Sequence, residues 1–210
     1  MEILPLIIGV ILAQLAPGPN MLAVSSISLG AGREQGVYAA AGVATGVFIW
    51  AILFTFGLGA LMAAFPNSIV AMKFIGGGYL LYMGLKAIRN AFAKSKKTTQ
   101  TTAAYVTSPQ AYIKGLLVVI TNPKAAMMWM AISLFLASTN LSDILFLAVG
   151  LCVSLSALVI YGIYAVLFST GFAVQIYGRF FRAIETAFGI IFAAAAMVLL
   201  ADAFEEVSET

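Results

Sequence analysis

The sequence predicts an all-α membrane protein with six transmembrane helices, arranged as two inverted three-helix repeats, in which helices 1 and 4 are broken at proline motifs. Three observations support this fold class: the apolar composition, the number of apolar segments, and the matching depth of the two motifs. Hydrophobic residues make up 62% of the 210 residues and charged residues 9%, whereas soluble domains carry about 25% charged residues. The mean hydropathy is +1.05. This composition indicates an integral membrane protein.

The composition also excludes several function classes. The chain has no histidine, which excludes histidine-ligated zinc, iron and haem sites and catalytic triads that need histidine. The single cysteine, Cys152, lies in an apolar run and cannot form a disulfide framework. We find no nucleophile–base pair in the sequence and therefore expect neither an enzyme nor a bound cofactor. The net charge of +3 is explained by basic loops that orient the protein, without nucleic-acid binding.

The apolar segments set the number of spans, because about 20 apolar residues cross a bilayer. The six segments cover approximately residues 3–29, 36–65, 69–92, 112–137, 141–172 and 181–204. A polar stretch at 94–109 connects the third segment to the fourth. The first segment is too long for the apolar part of a secretory signal and has no basic residues before it, so we expect a retained helix.

The basic residues support six spans and predict the orientation. With six spans, nine of the eleven basic residues lie in or beside the loops on one face. These nine are Arg33, Lys86, Arg89, Lys94, Lys96, Lys97, Lys114, Arg179 and Arg182. By the positive-inside rule, this face is cytoplasmic and both termini lie outside. Glu2 and the acidic tail then lie on the opposite face.

The polar loop divides the chain into two halves, 1–93 and 110–210, with three predicted helices each. Three is an odd number, so the second half enters the membrane from the opposite side. This arrangement is the inverted repeat found in many secondary transporters, in which matched helix interruptions mark the binding site.

The first interruption is Pro17-Gly18-Pro19-Asn20, about a dozen residues into the first segment. Proline removes a backbone donor and opens the helical ladder. The second half-helix would then begin with free amides, which bind a carboxylate well. Asn20 can cap this half-helix or contact the substrate. The alternative is a kink without a ligand.

The second interruption is Asn122-Pro123-Lys124 in the fourth segment. Pro123 opens the helix and Asn122 can cap the next turn. Lys124 places a cation in the span, which costs roughly 3 kcal/mol on insertion scales and marks a functional candidate. Lys124 can act as the counter-ion of a substrate carboxylate or as a partner for freed carbonyls. The alternative is a lysine that extends to the membrane surface.

Four further residues are candidates for the transport pathway, each with a structural alternative: Gln14, Lys73, Tyr79 and Trp129. Gln14 lies one turn before the first break and could instead join two helices. Lys73 is more simply an interfacial lysine, and the two aromatic residues are more simply packed in the protein. The sequence Gly42-x-x-x-Gly46 and the run Gly76-Gly77-Gly78 predict close helix packing.

The placement of acidic residues bears on the substrate. Asp143 and Glu185 fall near the ends of predicted helices, and no acidic residue falls near the middle of a span. A site for cationic amino acids or metal ions would need a buried carboxylate. We therefore expect a neutral or zwitterionic substrate and no metal site.

Taken together, these motifs resemble the LysE/RhtB family of amino-acid exporters. The resemblance covers residues 9–130, and length and helix count agree to the end. The motifs that carry it are Ala16-Pro17-Gly18-Pro19-Asn20, Gly42-Val43-Ala44-Thr45-Gly46, Lys73-Phe74-Ile75-Gly76-Gly77-Gly78-Tyr79-Leu80-Leu81-Tyr82-Met83-Gly84 and Thr121-Asn122-Pro123-Lys124-Ala125. The resemblance implies an exporter in the bacterial inner membrane, driven by an ion gradient, whose two proline motifs line the transport path. Met127-Met128-Trp129-Met130 departs from the phenylalanine-rich run that usually follows the second motif in this family.

The sequence thus predicts a secondary exporter of amino acids or related zwitterionic metabolites that works by alternating access. Its expected partners are the amino acid, membrane lipids and a coupling ion, for which a proton is one candidate. Two alternatives stay open: an exporter of cations or other small metabolites, and a membrane scaffold without transport. The small-residue helix faces permit a homodimer.

Overall fold

The computed structural model describes residues 3–64, 68–93, 106–137, 142–170 and 172–208, and these residues fold into helices joined by short connections. The helices are α1 (Ile3–Leu15), α2 (Pro19–Ala31), α3 (Arg33–Ala64), α4 (Ser68–Phe92), α5 (Ser108–Ile120), α6 (Pro123–Ala137), α7 (Asp143–Phe168) and α8 (Phe172–Ser208). Most of the predicted loop 94–109, and the lysines at 94, 96 and 97, lie outside the described residues.

The two predicted helix breaks are confirmed. The first segment forms α1 and α2, which are bent by 47° across residues 16–18. The fourth segment forms α5 and α6, which are bent by 58° across residues 121–122. Each break falls at its proline motif, as expected from the missing backbone donor.

Three helices in the described part of the chain are long and apolar enough to cross a membrane: α3, α7 and α8. The number rises to five if each bent pair is one span. The predicted third span corresponds to α4, a 25-residue helix that carries Lys73, Lys86 and Arg89 and is not among the five. The all-helical class is confirmed, while the six crossings and the inverted repeat stay predictions.

The prediction for the sixth helix was wrong at its start. We expected a helix over residues 181–204, but α8 has 37 residues and begins at Phe172. Arg179 and Arg182 were placed in or beside a loop, yet no proline follows Pro123 in the chain to stop a helix. Because of this earlier start, Glu185 lies more than three turns inside α8 rather than at its end.

The helices pack through small residues. Helix α3 packs mainly against α5 and α7, and α4 packs mainly against α8. A Cβ atom on Gly42 would overlap the carbonyl oxygen of Tyr112, and one on Gly115 would overlap that of Ala39. The packing role predicted for Gly42 is therefore confirmed, because only glycine allows α3 and α5 to approach so closely.

Large apolar side chains cover the outside of the helices. Ile144 is 80% exposed, Val198 72% and Phe92 69%. The buried interior holds Trp129 with smaller residues such as Val43, Val119 and others. An apolar exterior of this extent suits lipid as the solvent and agrees with a membrane protein.

Candidate functional site

The two helix breaks meet in the structure. The side-chain Nδ2 of Asn122 donates a 3.0 Å hydrogen bond to Oδ1 of Asn20, and both residues are buried. The Nδ2 of Asn20 in turn donates a 3.5 Å bond to the hydroxyl oxygen of Tyr161 on α7. Two motifs about a hundred residues apart in the chain therefore form one polar centre.

The two half-helices begin in the same way. Pro19 is the first residue of α2 and Pro123 is the first residue of α6, the position where the missing amide of proline costs least. With the prolines aligned, Gly18 corresponds to Asn122, and Asn20 corresponds to Lys124. The second position of each half-helix thus carries an amide side chain in one break and a cation in the other.

The carbonyl groups freed at the breaks are bonded by side chains. The hydroxyl of Tyr164 donates to the carbonyl of Leu15 at 2.9 Å, and Nζ of Lys124 donates to the carbonyl of Ala16 at 3.3 Å. Nε1 of Trp50 donates to the carbonyl of Val119 at 3.2 Å. Buried backbone groups need such partners in a medium without water. The bond from Lys124 matches one of its two expected roles, that of a partner for a freed carbonyl, and its function in the site stays a prediction.

The amide groups at the two half-helix starts differ. In α6, the amide of Lys124 donates to Oδ1 of Asn122 at 3.0 Å, so Asn122 caps the helix as predicted. In α2, Gly18 precedes Pro19 with an extended backbone and offers no side chain as a cap. Among the described residues, no acceptor contacts the amides of Asn20 and Met21. The start of α2 is therefore an open anion-binding position.

Lys124 lies beside this open position. A Cβ atom built on Gly18 would lie 3.5 Å from Nζ of Lys124. The same Nζ lies 5.1 Å from the ring centroid of Phe192 on α8, a cation–π distance. The carboxylate that attracts Lys124 electrostatically is Glu185, also on α8. The ammonium group is thus placed between the amides of α2 and one face of α8.

The two breaks line a small cleft. Its polar lining consists of Gln14, Asn20, Asn122, Lys124 and Tyr161, and its apolar lining includes Met21, Val47 and Met128. The volume of this cleft that is open to water is about 20 Å³, which is room for about one water molecule. The cleft therefore has the polar groups of a ligand site but must widen to admit an amino acid.

The sequence-predicted residues divide into two groups. Pro17, Gly18, Pro19, Asn20, Asn122, Pro123 and Lys124 all belong to the two breaks. Gln14 also lines the cleft, but its Nε2 donates to the carbonyl of Val153 at 2.9 Å and its Oε1 accepts from Ser156 at 2.9 Å. These bonds join α1 to α7, which was the structural alternative for Gln14.

The other three pathway candidates lie away from the cleft lining. Lys73 forms 2.6 Å ion pairs with Asp202 and Glu206, which join α4 to α8. Tyr79 lies on α4 beside Tyr82, with 6.1 Å between ring centroids. Trp129 is fully buried in the core. A role for these three residues in transport stays a prediction.

Sequence reasoning missed three residues at the site. Tyr161 is 4% exposed and accepts from Asn20, Phe192 contacts the ammonium of Lys124, and Glu185 is 7% exposed. A tyrosine hydroxyl inside an apolar segment is a signal that could have identified Tyr161. The expectation that Glu185 lies near a helix end was wrong, because α8 already begins at Phe172. Lys124 acts on Glu185 electrostatically.

A set of lipid-suited helices is the architecture of a multi-pass membrane protein, and a polar cleft at two helix breaks is typical of transporters. The chain belongs to the LysE type translocator family, which it matches over residues 11–203. This membership confirms the family resemblance seen in the motifs. Members of this family are transporters, which agrees with the expectation that the chain is not an enzyme.

Several curated relatives are similar to the chain. An uncharacterized membrane protein of Haemophilus influenzae is 27% identical over 208 residues, which is 97% of this chain and 98% of the relative. An uncharacterized membrane protein of Pseudomonas aeruginosa is 34% identical over 60% of this chain. A leucine efflux protein of Salmonella typhimurium is 31% identical over 60% of this chain.

The coverage of these relatives differs. The matched region spans 59% of the Pseudomonas protein and 58% of the leucine efflux protein, so the chain covers less than two thirds of either. A threonine efflux protein of the same Salmonella strain is 30% identical over 55% of this chain and 56% of its own length. No solved structure is significantly similar to the chain.

Proposed function

We propose that this protein is a secondary exporter of neutral amino acids or related zwitterionic metabolites across the bacterial inner membrane, and that it works by alternating access. One observation carries the proposal: the open amides at the start of α2 and the ammonium of Lys124 line the same cleft, between two broken helices. Relatives named leucine and threonine efflux proteins support an amino-acid substrate.

The substrate carboxylate would bind between the amides of Asn20 and Met21 and Nζ of Lys124. Lys124 now donates to the carbonyl of Ala16, and it would exchange this bond for a stronger, charge-assisted bond to the carboxylate. The Asn20–Asn122 pair would hold the two half-helices in register during binding. Met21 and Met128, both in the lining, would contact the substrate side chain, because methionine adapts to varied apolar shapes.

Alternating access would use the two halves of the chain, 1–93 and 110–210, as inverted repeats. The first half supplies α2 and the second half supplies α6, so relative movement of the halves would open the cleft to one side at a time. The small volume of the cleft supports a closed conformation that must open for binding. A gradient of a coupling ion would drive the cycle.

The proposed orientation has both termini outside and loop 94–109 in the cytoplasm, from the distribution of basic residues. A Lys96→Cys variant that also carries Cys152→Ser tests it with a membrane-impermeant thiol reagent. We expect labelling only after the cells are opened. Labelling in intact cells would contradict the orientation.

An export screen tests the proposed function directly. Cells that express the protein are loaded with dipeptides, which release amino acids inside, and the amino acids that leave are measured over time. We expect faster release of one or more neutral amino acids than from cells without the protein. Equal release of all amino acids, with the protein present in the membrane, would contradict the proposal and favour a scaffold.

A further inference from the structure

We propose that Glu185 is the second charged group of the transport site, where it accepts the ammonium group of the amino acid and takes up a proton in its place. This inference rests on the proposed export function. A buried carboxylate that has no part in binding the substrate carboxylate thereby gains a chemical role.

Glu185 is buried in α8 and has no bonding partner among the described residues. Glu185 lies 13 residues after the start of α8 and is 7% exposed. Within the part of the chain that the structure describes, its carboxylate makes no hydrogen bond or ion pair. A buried and unpartnered carboxylate is costly to stability, and such groups in membrane proteins commonly belong to substrate or proton pathways.

Lys124 is the charged neighbour of Glu185. The charge that acts on Glu185 is the ammonium of Lys124, which lies 5.1 Å from the centroid of the Phe192 ring. Phe192 is two turns after Glu185 on the same face of α8. The ammonium of Lys124 thus has the open start of α2 on one side and the face of α8 on the other. An amino-acid zwitterion entering here would meet a cation for its carboxylate and an anion for its ammonium.

The other charged groups on the described helices packed against α8 are engaged or exposed. On α4, Lys73 pairs with Asp202 and Glu206 near the far end of α8, Lys86 lies over the Tyr82 ring, and Arg89 is exposed. On α7, Tyr161 accepts from Asn20 and Tyr164 donates to the carbonyl of Leu15. On α8 itself, Arg179 and Arg182 are exposed. Among the residues that the structure describes, Lys124 is therefore the cation that acts on Glu185 electrostatically.

The direction of transport determines which group must take up the proton. An exporter driven by proton entry must release its substrate when it takes up a proton, so protonation has to weaken substrate binding. A proton on Glu185 neutralises the carboxylate that holds the substrate ammonium. Protonation of Glu185 therefore weakens substrate binding, as export requires. Protonation of Lys124 has the opposite effect, because it strengthens carboxylate binding and would couple proton and substrate in the same direction.

The cycle then balances in charge and protons. Facing the cytoplasm, Glu185 releases its proton, and the carboxylate binds the substrate ammonium while Lys124 binds the substrate carboxylate. Facing outward, the carboxylate of Glu185 takes up a proton and the zwitterion leaves. One proton enters for each amino acid exported, and no other reactant is required.

Purified protein in liposomes tests the inference with leucine and threonine as probes. Counterflow exchange without a pH gradient measures binding and movement, and uptake driven by an imposed pH gradient measures coupling. We expect Glu185→Gln to keep counterflow at high substrate concentration, with an affinity roughly tenfold weaker or more, and to lose the stimulation by the pH gradient. Glu205→Gln, an exposed acid on the same helix, should leave both activities unchanged.

Each outcome is decisive. Full stimulation by the pH gradient in Glu185→Gln, or equal loss of counterflow and driven transport in a folded variant, would overturn the role of Glu185. If Glu185→Gln does not fold, Glu185→Asp replaces it: the shorter carboxylate should keep proton coupling, and loss of coupling in folded protein would overturn the inference. Absence of any transport by the unsubstituted protein would instead contradict the proposed function.

Discussion

The side-chain amide of Asn122 donates a 3.0 Å hydrogen bond to the side-chain oxygen of Asn20, and this bond joins the two interrupted helices. Asn122 also accepts from the amide of Lys124 and so caps α6. One side chain therefore fixes the start of α6, the position of Lys124, and the distance between the two breaks. Both asparagines are buried, where each lost bond leaves an unsatisfied polar group.

Substitution Asn122→Asp should separate these roles. The carboxylate keeps the oxygen that caps α6 but cannot donate to Asn20, and its negative charge competes with the substrate for Lys124. We expect export to fall at least about fivefold, since a lost buried bond costs about 1–3 kcal/mol, with the protein still in the membrane. Ser26→Ala is the control, because Ser26 is exposed and bonds only within its own turn. Export at the unsubstituted rate by Asn122→Asp would contradict this role.

Substitution Tyr161→Phe removes the hydroxyl that accepts from Asn20 at 3.5 Å. This bond is long, so the loss should be small, about 0.5–1.5 kcal/mol or up to about tenfold in apparent substrate affinity. Affinity is measured from the concentration dependence of counterflow. Tyr82→Phe, at an exposed tyrosine on α4, should have no effect. An equal change in both variants would show that Tyr161 has no specific role.

Substitution Gly115→Ala tests the packing of α5 against α3. The added Cβ would overlap the carbonyl oxygen of Ala39, so we expect a loss of at least about 1–3 kcal/mol in stability. The thermal midpoint of purified protein in detergent measures it. Gly162→Ala on α7 is the matched control, since nothing lies within 4 Å of its added Cβ. A midpoint for Gly115→Ala equal to that of the control would contradict the packing described here.

Substitution Lys73→Gln tests whether the α4–α8 ion pairs have a role in transport. The acidic partners are 58% and 43% exposed, so solvent screens the pairs and their contribution should be at most about 1 kcal/mol. We expect a slightly lower thermal midpoint and unchanged export. Loss of export in a variant with an unchanged thermal midpoint would show that Lys73 has a role in transport.

The helix breaks could be predicted from sequence because proline acts locally. Pro19 and Pro123 each remove a backbone donor wherever they occur, so the bends and half-helix starts followed from the motifs alone. The cap at Asn122 followed in the same way. The pairing of Asn20 with Asn122 was expected only as a shared site, since which groups bond depends on the packing of helices far apart in the chain.

The contribution of α8 could not be predicted, for two physical reasons. The polar residues from Gln175 to Arg182 have no single effect on secondary structure, and the helix continues through them. Burial of Glu185 then depends on the packing of α8 against α4, through the close approach of Gly84 and Gly189, and not on local sequence. The free amides at the start of α2 could be predicted from the proline motif. For Lys124, the sequence left two roles open, a counter-ion for the substrate carboxylate and a partner for a freed carbonyl.

Lys124 and the start of α2 form the proposed binding position of the substrate carboxylate. The most direct measurement is counterflow of leucine in liposomes, with competition by leucine and by leucinamide, which lacks the carboxylate. We expect the unsubstituted protein to prefer leucine by tenfold or more, roughly the value of one charge-assisted bond. Lys124→Gln should fold, transport leucine poorly and lose this preference. Unchanged leucine transport and preference in Lys124→Gln would contradict the account.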